Sequence, residues 1–223
     1  MTALNFAITD DGIFLATDSL VTHEGQPLMF TTKVLTVPHL DGLICATGSI
    51  VLFHRWALNV LREASSGMMS YLDHDTPEEL NSIWAGMSED ERGSGTGTIY
   101  HFGYDRDFDR FEGFAYRSSN NFESEPLAHN IYTKPPMAGQ FSITSFPDDF
   151  VETCRGQKME QDKLPADKRV HIGGHVIAYT LQRNSREGQP TTTFTTVQTA
   201  FEFEDLVDMY RVTMERGSDF WKK

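Results

Sequence analysis

Hydrophobic and polar positions alternate from the start of the chain. Leu4, Phe6 and Ile8 are separated by Ala3, Asn5 and Ala7, Asp10-Asp11-Gly12 supplies turn chemistry, and the apolar run Ile13-Phe14-Leu15-Ala16-Thr17 follows. This pattern predicts a β-hairpin. Its second strand is apolar on both faces, which predicts cover on both sides, by another sheet on one and by helices on the other. A polar loop around Gly25-Gln26-Pro27 leads to a second strand pair, Thr31 to Val37 and Leu43 to Thr47, broken by Pro38 and Asp41-Gly42.

Helical spacing then takes over. Phe53, Trp56, Ala57, Val60 and Leu61 predict a helix over 50–63 with Ser49 as its N-cap, and Thr76-Pro77-Glu78-Glu79 opens a second helix through Leu80, Ile83 and Trp84. Strands are expected over 95–102, 110–116 and near 130–133. A short helix follows from Phe146 through Val151, then a charged, solvated stretch from Gln157 to Arg169. A last strand pair, 172–181 and 190–197, precedes a closing helix over 203–215. These elements predict an α+β protein, one domain spanning 1–223, with two antiparallel sheets face to face and helices outside.

Composition narrows the partners. With 19 Lys+Arg against 32 Asp+Glu the chain carries a net charge of −13, and no basic run interrupts it, so neither nucleic acid nor an anionic membrane surface is expected as a ligand. Two cysteines, Cys45 and Cys154, form no CxxC pair, which fits a reducing, cytoplasmic setting. No signal peptide and no membrane-spanning run is expected. His171 and His175 are placed on one face of a strand, but without a third ligand at suitable spacing no metal site is expected.

The candidate chemistry lies at strand ends. Thr2 follows Met1, and a small second residue favours removal of Met1, which would leave an α-amine and a β-hydroxyl on one residue. An N-terminal amine, with a reference pKa of about 7.7 to 8.0, can accept the hydroxyl proton near neutral pH. Asp18 directly follows an apolar strand, and Lys33 sits within Phe30-Thr31-Thr32-Lys33-Val34-Leu35, so both charges require pairing if buried. Gly48-Ser49 marks a strand-to-helix junction whose N–H groups suit an oxyanion.

Together, Thr2 to Ser19 with its Thr2–Asp18 spacing, Thr32-Lys33-Val34 and Cys45-Ala46-Thr47-Gly48-Ser49 resemble the start of a proteasome β-type subunit over roughly the first 65 residues. With Met1 alone ahead of Thr2, the chain is more similar to the bacterial HslV-type peptidase and its proteasome-like relatives than to the propeptide-bearing subunits. The resemblance implies the N-terminal-nucleophile hydrolase fold, a four-layer αββα sandwich. It implies Thr2 as nucleophile, Asp18 and Lys33 as its polar support, Gly48 as oxyanion donor and Ser142 as the residue orienting the amine. Ile172-Gly173-Gly174-His175-Val176 resembles the family's late Gly-Gly strand, while the region 146–169 is short and polar for the two long helices of most members. A substrate pocket is expected from Thr31, Ala46 and Ile50, which flank Lys33 and Gly48. The expected function is a threonine peptidase acting on peptides or unfolded protein, in a homo-oligomeric ring or open ring, without a cofactor and fed by an ATP-dependent unfoldase. A small-molecule amidase or acyl-transferring enzyme, or a non-catalytic scaffold subunit, is the alternative on the same fold.

Overall fold

The N-terminal alternation folds as the expected hairpin, β1 (Leu4–Ile8) and β2 (Gly12–Asp18), in register Leu4 with Thr17 and Ile8 with Ile13. The computed structural model describes residues 2–23, 25–63, 67–93, 95–137, 142–165, 168–184 and 191–220, without side chains for 63 and 216–220. The chain continues through β3 (Leu20–His23), β4 (Gln26–Phe30), β5 (Val34–Val37) and β6 (Gly42–Gly48). Four helices follow, α1 (Ile50–Glu63), α2 (Met69–Leu72), α3 (Thr76–Ala85) and α4 (Glu89–Arg92). Then come β7 (Gly97–Asp105), β8 (Arg110–Arg117), β9 (Ser124–Pro126) and β10 (Ile131–Lys134). The last elements are α5 (Asp148–Asp162), β11 (His175–Asn184), β12 (Thr192–Glu202) and α6 (Leu206–Phe220).

The result is a mixed α/β fold with antiparallel sheets. One five-stranded sheet has the order β10-β1-β2-β11-β12, a second has β5-β6-β7-β8-β9, and β3-β4 form a separate hairpin. Leu4, Phe6, Ile13 and Leu15 of the first sheet share one buried cluster with Leu43, Cys45, Tyr100 and Phe102 of the second. On its other face the first sheet sends Ala7 and Ala16 into a cluster with Phe150 and Cys154 of α5, with Phe14 packed against it. The second sheet packs Ile44 and Ile99 against Phe53, Trp56 and Leu80 of α1 and α3. The apolar character of β2 on both faces thus has its cause: a sheet covers one side and a helix the other. Both cysteines are free and buried, in different clusters. Among the described residues, no helix is long and apolar enough to cross a membrane.

The sequence reading does not anticipate the short elements α2, α4 and β9 or the run of β12 past 197 to Glu202, and three further segments depart from it. The loop around Gly25-Gln26-Pro27 belongs to the β3–β4 hairpin, which Pro27 and its polar neighbours disguise; Phe30 is held against Tyr210 of α6, ring centroids 4.6 Å apart. The helix begun at Phe146 does not stop at Val151 but runs to Asp162, with Gln157 buried. There Asn5 and Gln157 exchange two amide hydrogen bonds of 2.9 Å, and Gln157 Nε2 also donates to the Pro135 carbonyl at 2.6 Å. Finally, His171 precedes β11, which begins at His175, so the two histidines do not share a strand face.

The outer cluster of the second sheet holds one polar group whose titration is exposed by unfolding. Trp56 Nε1 donates to His101 Nε2 at 2.8 Å, and His101 is fully buried, its pKa pushed down to about 3 by loss of solvation. An unfolded histidine binds its proton near pH 6.5, whereas the folded one stays neutral. This group therefore costs no stability above about pH 6.5 and costs up to about 1.4 kcal/mol per pH unit as pH falls from there toward 3. Urea unfolding across pH 7 to 4 should show this loss. His101→Gln, which keeps an acceptor for Trp56 but has no proton to bind, should be less stable at pH 7 and should flatten this component of the pH dependence.

Candidate active site

Register places the site. Pairing Leu4 with Thr17 sets Ala3 beside Asp18 at the end of β2, where Asp18 N–H donates to the Ala3 carbonyl at 3.3 Å and Thr17 Oγ1 donates to the same oxygen at 2.9 Å. The Ala3 N–H returns a bond to Asp18 Oδ1 at 3.0 Å. Lys33, one residue before β5, brings Nζ to the same Oδ1 at 2.7 Å and donates to the Leu20 carbonyl at 2.6 Å. The other carboxylate oxygen, Oδ2, accepts from the Gly173 N–H at 3.2 Å.

Both charges are out of water, Asp18 at 0% and Lys33 at 3% exposure. A buried carboxylate is tolerable only when it is hydrogen-bonded, and here two backbone amides and one ammonium donate to it. Burial pushes the Lys33 amine below the ordinary lysine value, against the opposing pull of Asp18. A lysine ammonium has three N–H donors. Two are used, and among the described residues the third has no acceptor.

Thr2 is itself buried, at 8% exposure. Because its carbonyl carbon is bonded to the Ala3 nitrogen, its Cα lies within about 5.5 Å of Asp18 Oδ1 by covalent geometry. Met1 lies outside the described residues. The pairing of Val34 with Cys45 puts Lys33 and Gly48 at the same end of the second sheet. Gly48 has φ +92°, and a Cβ there would overlap the Thr96 carbonyl oxygen, so the junction admits only glycine. Ser49 caps α1 as expected: Leu52 N–H donates to its Oγ at 3.2 Å, and that hydroxyl donates to the Glu91 carbonyl at 2.7 Å.

The remaining candidates are spread more widely. Thr31 is half-buried, its N–H donating to the Ser19 carbonyl at 2.9 Å, and Ile50 is half-buried at the first position of α1. Ala46 packs in the cluster beneath α1 together with Ile44, while Cys45 faces the other sheet. Strand alternation therefore turns the Ala46 methyl toward the helices and away from the expected pocket. Ser142 is exposed, and among the described residues no hydrogen bond ties it to Thr2, Asp18 or Lys33.

Two contributors were not foreseen, the Gly173 amide and the Leu20 carbonyl, both main-chain groups. Gly174, with φ +80°, turns the chain where a Cβ would overlap Ser19 Oγ and come within 2.6 Å of the Phe30 ring. Ser19 Oγ accepts the His175 N–H at 2.9 Å and fixes that corner. The Gly173-Gly174 pair is the sequence signal for this close approach. No family model matches the chain, and no curated protein matches it.

The closed bonding around Asp18 predicts strong coupling. Lys33→Met leaves an unpaired buried carboxylate and Asp18→Asn leaves an unpaired buried ammonium, so each should lower unfolding stability by about 3–5 kcal/mol. The Asp18→Asn/Lys33→Met double variant carries neither charge and should lose clearly less than the two single losses added. Denaturant unfolding of the four proteins measures this, and simple additivity would show that the two side chains do not act as one pair.

Proposed function

We propose that this chain is an N-terminal-nucleophile hydrolase of the proteasome β-subunit and HslV-like kind, a threonine peptidase with Thr2 as nucleophile. The observation that carries this reading is the convergence of Lys33 Nζ and the Ala3 amide, the group next to Thr2, on one buried oxygen of Asp18. Two sheets sharing one buried cluster, with helices packed on the outer face of each, support the four-layer αββα sandwich of that class, with residues 1–223 as one domain. Peptides or unfolded proteins are the substrates, a cytoplasmic homo-oligomer of ring or open-ring form is the working assembly, and an ATP-dependent unfoldase is the partner that would feed it.

In the proposed cycle, Met1 is removed and the free α-amine of Thr2 takes the proton from Thr2 Oγ as that oxygen attacks the substrate carbonyl carbon. The unused donor of Lys33 stabilises the forming alkoxide, and the Gly48 N–H donates to the tetrahedral oxyanion. The ammonium of Thr2 returns its proton to the leaving amine as the C–N bond breaks, leaving an ester on Oγ. Water, deprotonated by the same amine, then hydrolyses the ester and restores Thr2. Thr31, two residues before Lys33, and Ile50, two after Gly48, are both uncharged and are read as neighbours of the side chain preceding the cleaved bond, although Ile50 also packs against the cluster beneath α1.

Intact mass of the active protein should show Met1 absent, with one covalent adduct from a threonine-directed inhibitor. Thr2→Ala should lose the adduct and at least about 10³-fold in peptide turnover, whereas Thr2→Ser keeps amine and hydroxyl and retains part of the activity. Full activity with Met1 retained would defeat the mechanism, and hydrolysis restricted to small amides would move the assignment to an amidase.

A fluorogenic panel tests the pocket separately. Substrates with apolar residues before the cleaved bond should give higher kcat/KM than those with Lys or Arg, since the bordering residues offer no carboxylate to a basic side chain. Preferential cleavage after basic residues would show that other side chains line the pocket.

A further inference from the structure

The start of β1 lies between the ends of two other strands. The sheet order is β10-β1-β2, and at this level both flanking strands finish on a charged residue, β2 on Asp18 and β10 on Lys134, which pairs with Leu4. Asp18 has its three donors. Lys134 has no such company: among the described residues no hydrogen bond or ion pair engages its Nζ, which lies over the Tyr100 ring, 5.0 Å from the centroid. Acidic residues outnumber basic ones by 32 to 19, so the chain does not lack carboxylates that could have been placed there. Lys134 is half-buried and gives up hydration, and its three N–H donors remain for water or for a ligand.

This side chain shares a cleft with Thr2. Leu4, across from Lys134, belongs to the cluster between the sheets, whereas Ala3 packs in the outer cluster, so alternation carried back from Leu4 puts Thr2 on the inner face beside Lys134. Strand spacing and rise separate the two Cα atoms by about 8 Å. On the second sheet, Tyr100 and Ala115 of the same inner cluster are followed, toward the Gly48 end, by the facing pair Thr98 and Arg117. Arg117 donates from Nε to both oxygens of Glu125, at 3.1 and 2.9 Å, and remains 32% exposed. Burial, and after it the Arg117 guanidinium, push the Lys134 amine down to about 8, which leaves it mostly protonated at pH 7. Glu125 balances one of the two cations, and the other stands unbalanced.

We propose that Lys134, with Arg117 beside it, receives a substrate carboxylate on the leaving-group side of the cleaved bond, either a free C-terminus or an Asp or Glu side chain within two residues of that bond. Lys33 reaches Thr2 from the Asp18 flank and Lys134 from the β10 flank, so the two lysines stand on opposite sides of it. Thr31, beside the side chain that precedes the cleaved bond, is on the Lys33 flank, and a peptide seated there crosses Thr2 toward Lys134. One or two extended residues cover that distance. A carboxylate gives Lys134 the ion pair it lacks, in a partly desolvated cleft where a charge-assisted bond is stronger than in water. This inference rests on the proposed peptidase reading and names the substrate class that its leaving side selects.

Paired peptides test it. Substrates with one sequence before the cleaved bond carry beyond it Ala-Ala as free acid or as amide, or Glu-Ala-amide against Gln-Ala-amide, with cleavage followed by chromatography. The first comparison reads a C-terminal carboxylate and the second a side-chain one. In at least one of them the carboxylate form should give about tenfold higher kcat/KM or more. Lys134→Met should bring that ratio to within about twofold and Lys134→Arg should keep it, thermal unfolding confirming that both variants are folded. Titration of the wild-type protein with the four leaving dipeptides reads the same contrast without turnover. Turnover and binding that are alike indifferent to the carboxylate, or a preference that survives Lys134→Met, would overturn the proposal. Thr2 labelling and cleavage of the amide peptides without any such contrast would count only against the Lys134 site. A protein that neither cleaves nor is labelled at Thr2, yet binds the acid forms through Lys134, would count only against the peptidase.

Discussion

The ion pair of Asp18 and Lys33 governs how the first third of the chain is arranged. A carboxylate at 0% exposure demands an organised set of donors: strand pairing with β2 brings Ala3, ahead of β1, and Gly173, ahead of β11, to it, while Lys33, ahead of β5, comes from the other sheet. Each arrives at the start of a strand, and Asp18 itself ends one. The pair thus ties the first sheet to the second at one end, while the apolar cluster between the sheets contributes burial free energy without specifying which ends coincide. Directional bonds to one carboxylate supply that alignment.

Glycines make the alignment sterically feasible. Gly48 closes β6 against the Thr96 carbonyl, and Gly174 lets the chain pass Ser19 and Phe30 so that its neighbour can reach Asp18. A side chain at either position would push a backbone segment away from the corner where the pair sits. Rigidity at this corner also follows from Ser49, whose hydroxyl joins the first turn of α1 to the Glu91 carbonyl and so holds the turn that contains Gly48.

What could be read from the sequence was what is local. The β1–β2 hairpin, α1 with its Ser49 cap, and the need of Asp18 and Lys33 for partners all follow from periodicity and from charges placed at strand ends. The Gly173 bond to Asp18 spans 155 positions and uses a main-chain N–H, which leaves no chemical mark beyond a Gly-Gly pair. Tertiary contact likewise explains the errors. Gln157 reads as part of a solvated charged stretch, but its bonds with Asn5 and Pro135 bury it and extend α5 past Val151. The β3–β4 hairpin, interrupted by Pro27, is held by packing against α6 rather than by alternation of its own. Ala46 falls on the helical side of its strand because alternation is fixed by Cys45, which fills the space between the sheets.

The same pair connects stability to the proposed chemistry. Three donors hold Asp18 in place, so its charge is committed to structure, and it orients Lys33, whose third N–H has no acceptor among the described residues. Burial drives the Lys33 amine toward neutrality while Asp18 favours the ammonium, and the short 2.7 Å contact is the geometry that sustains the charged form. A cation beside a free α-amine lowers the amine's pKa from its reference of about 7.7 to 8.0, which raises the fraction able to take a proton at neutral pH. In the proposed cycle the same cation would stabilise an alkoxide on the Thr2 hydroxyl. A water-exposed lysine would do both weakly, because solvent screens its field. The burial that makes this pair costly to fold is therefore what would make it effective beside Thr2.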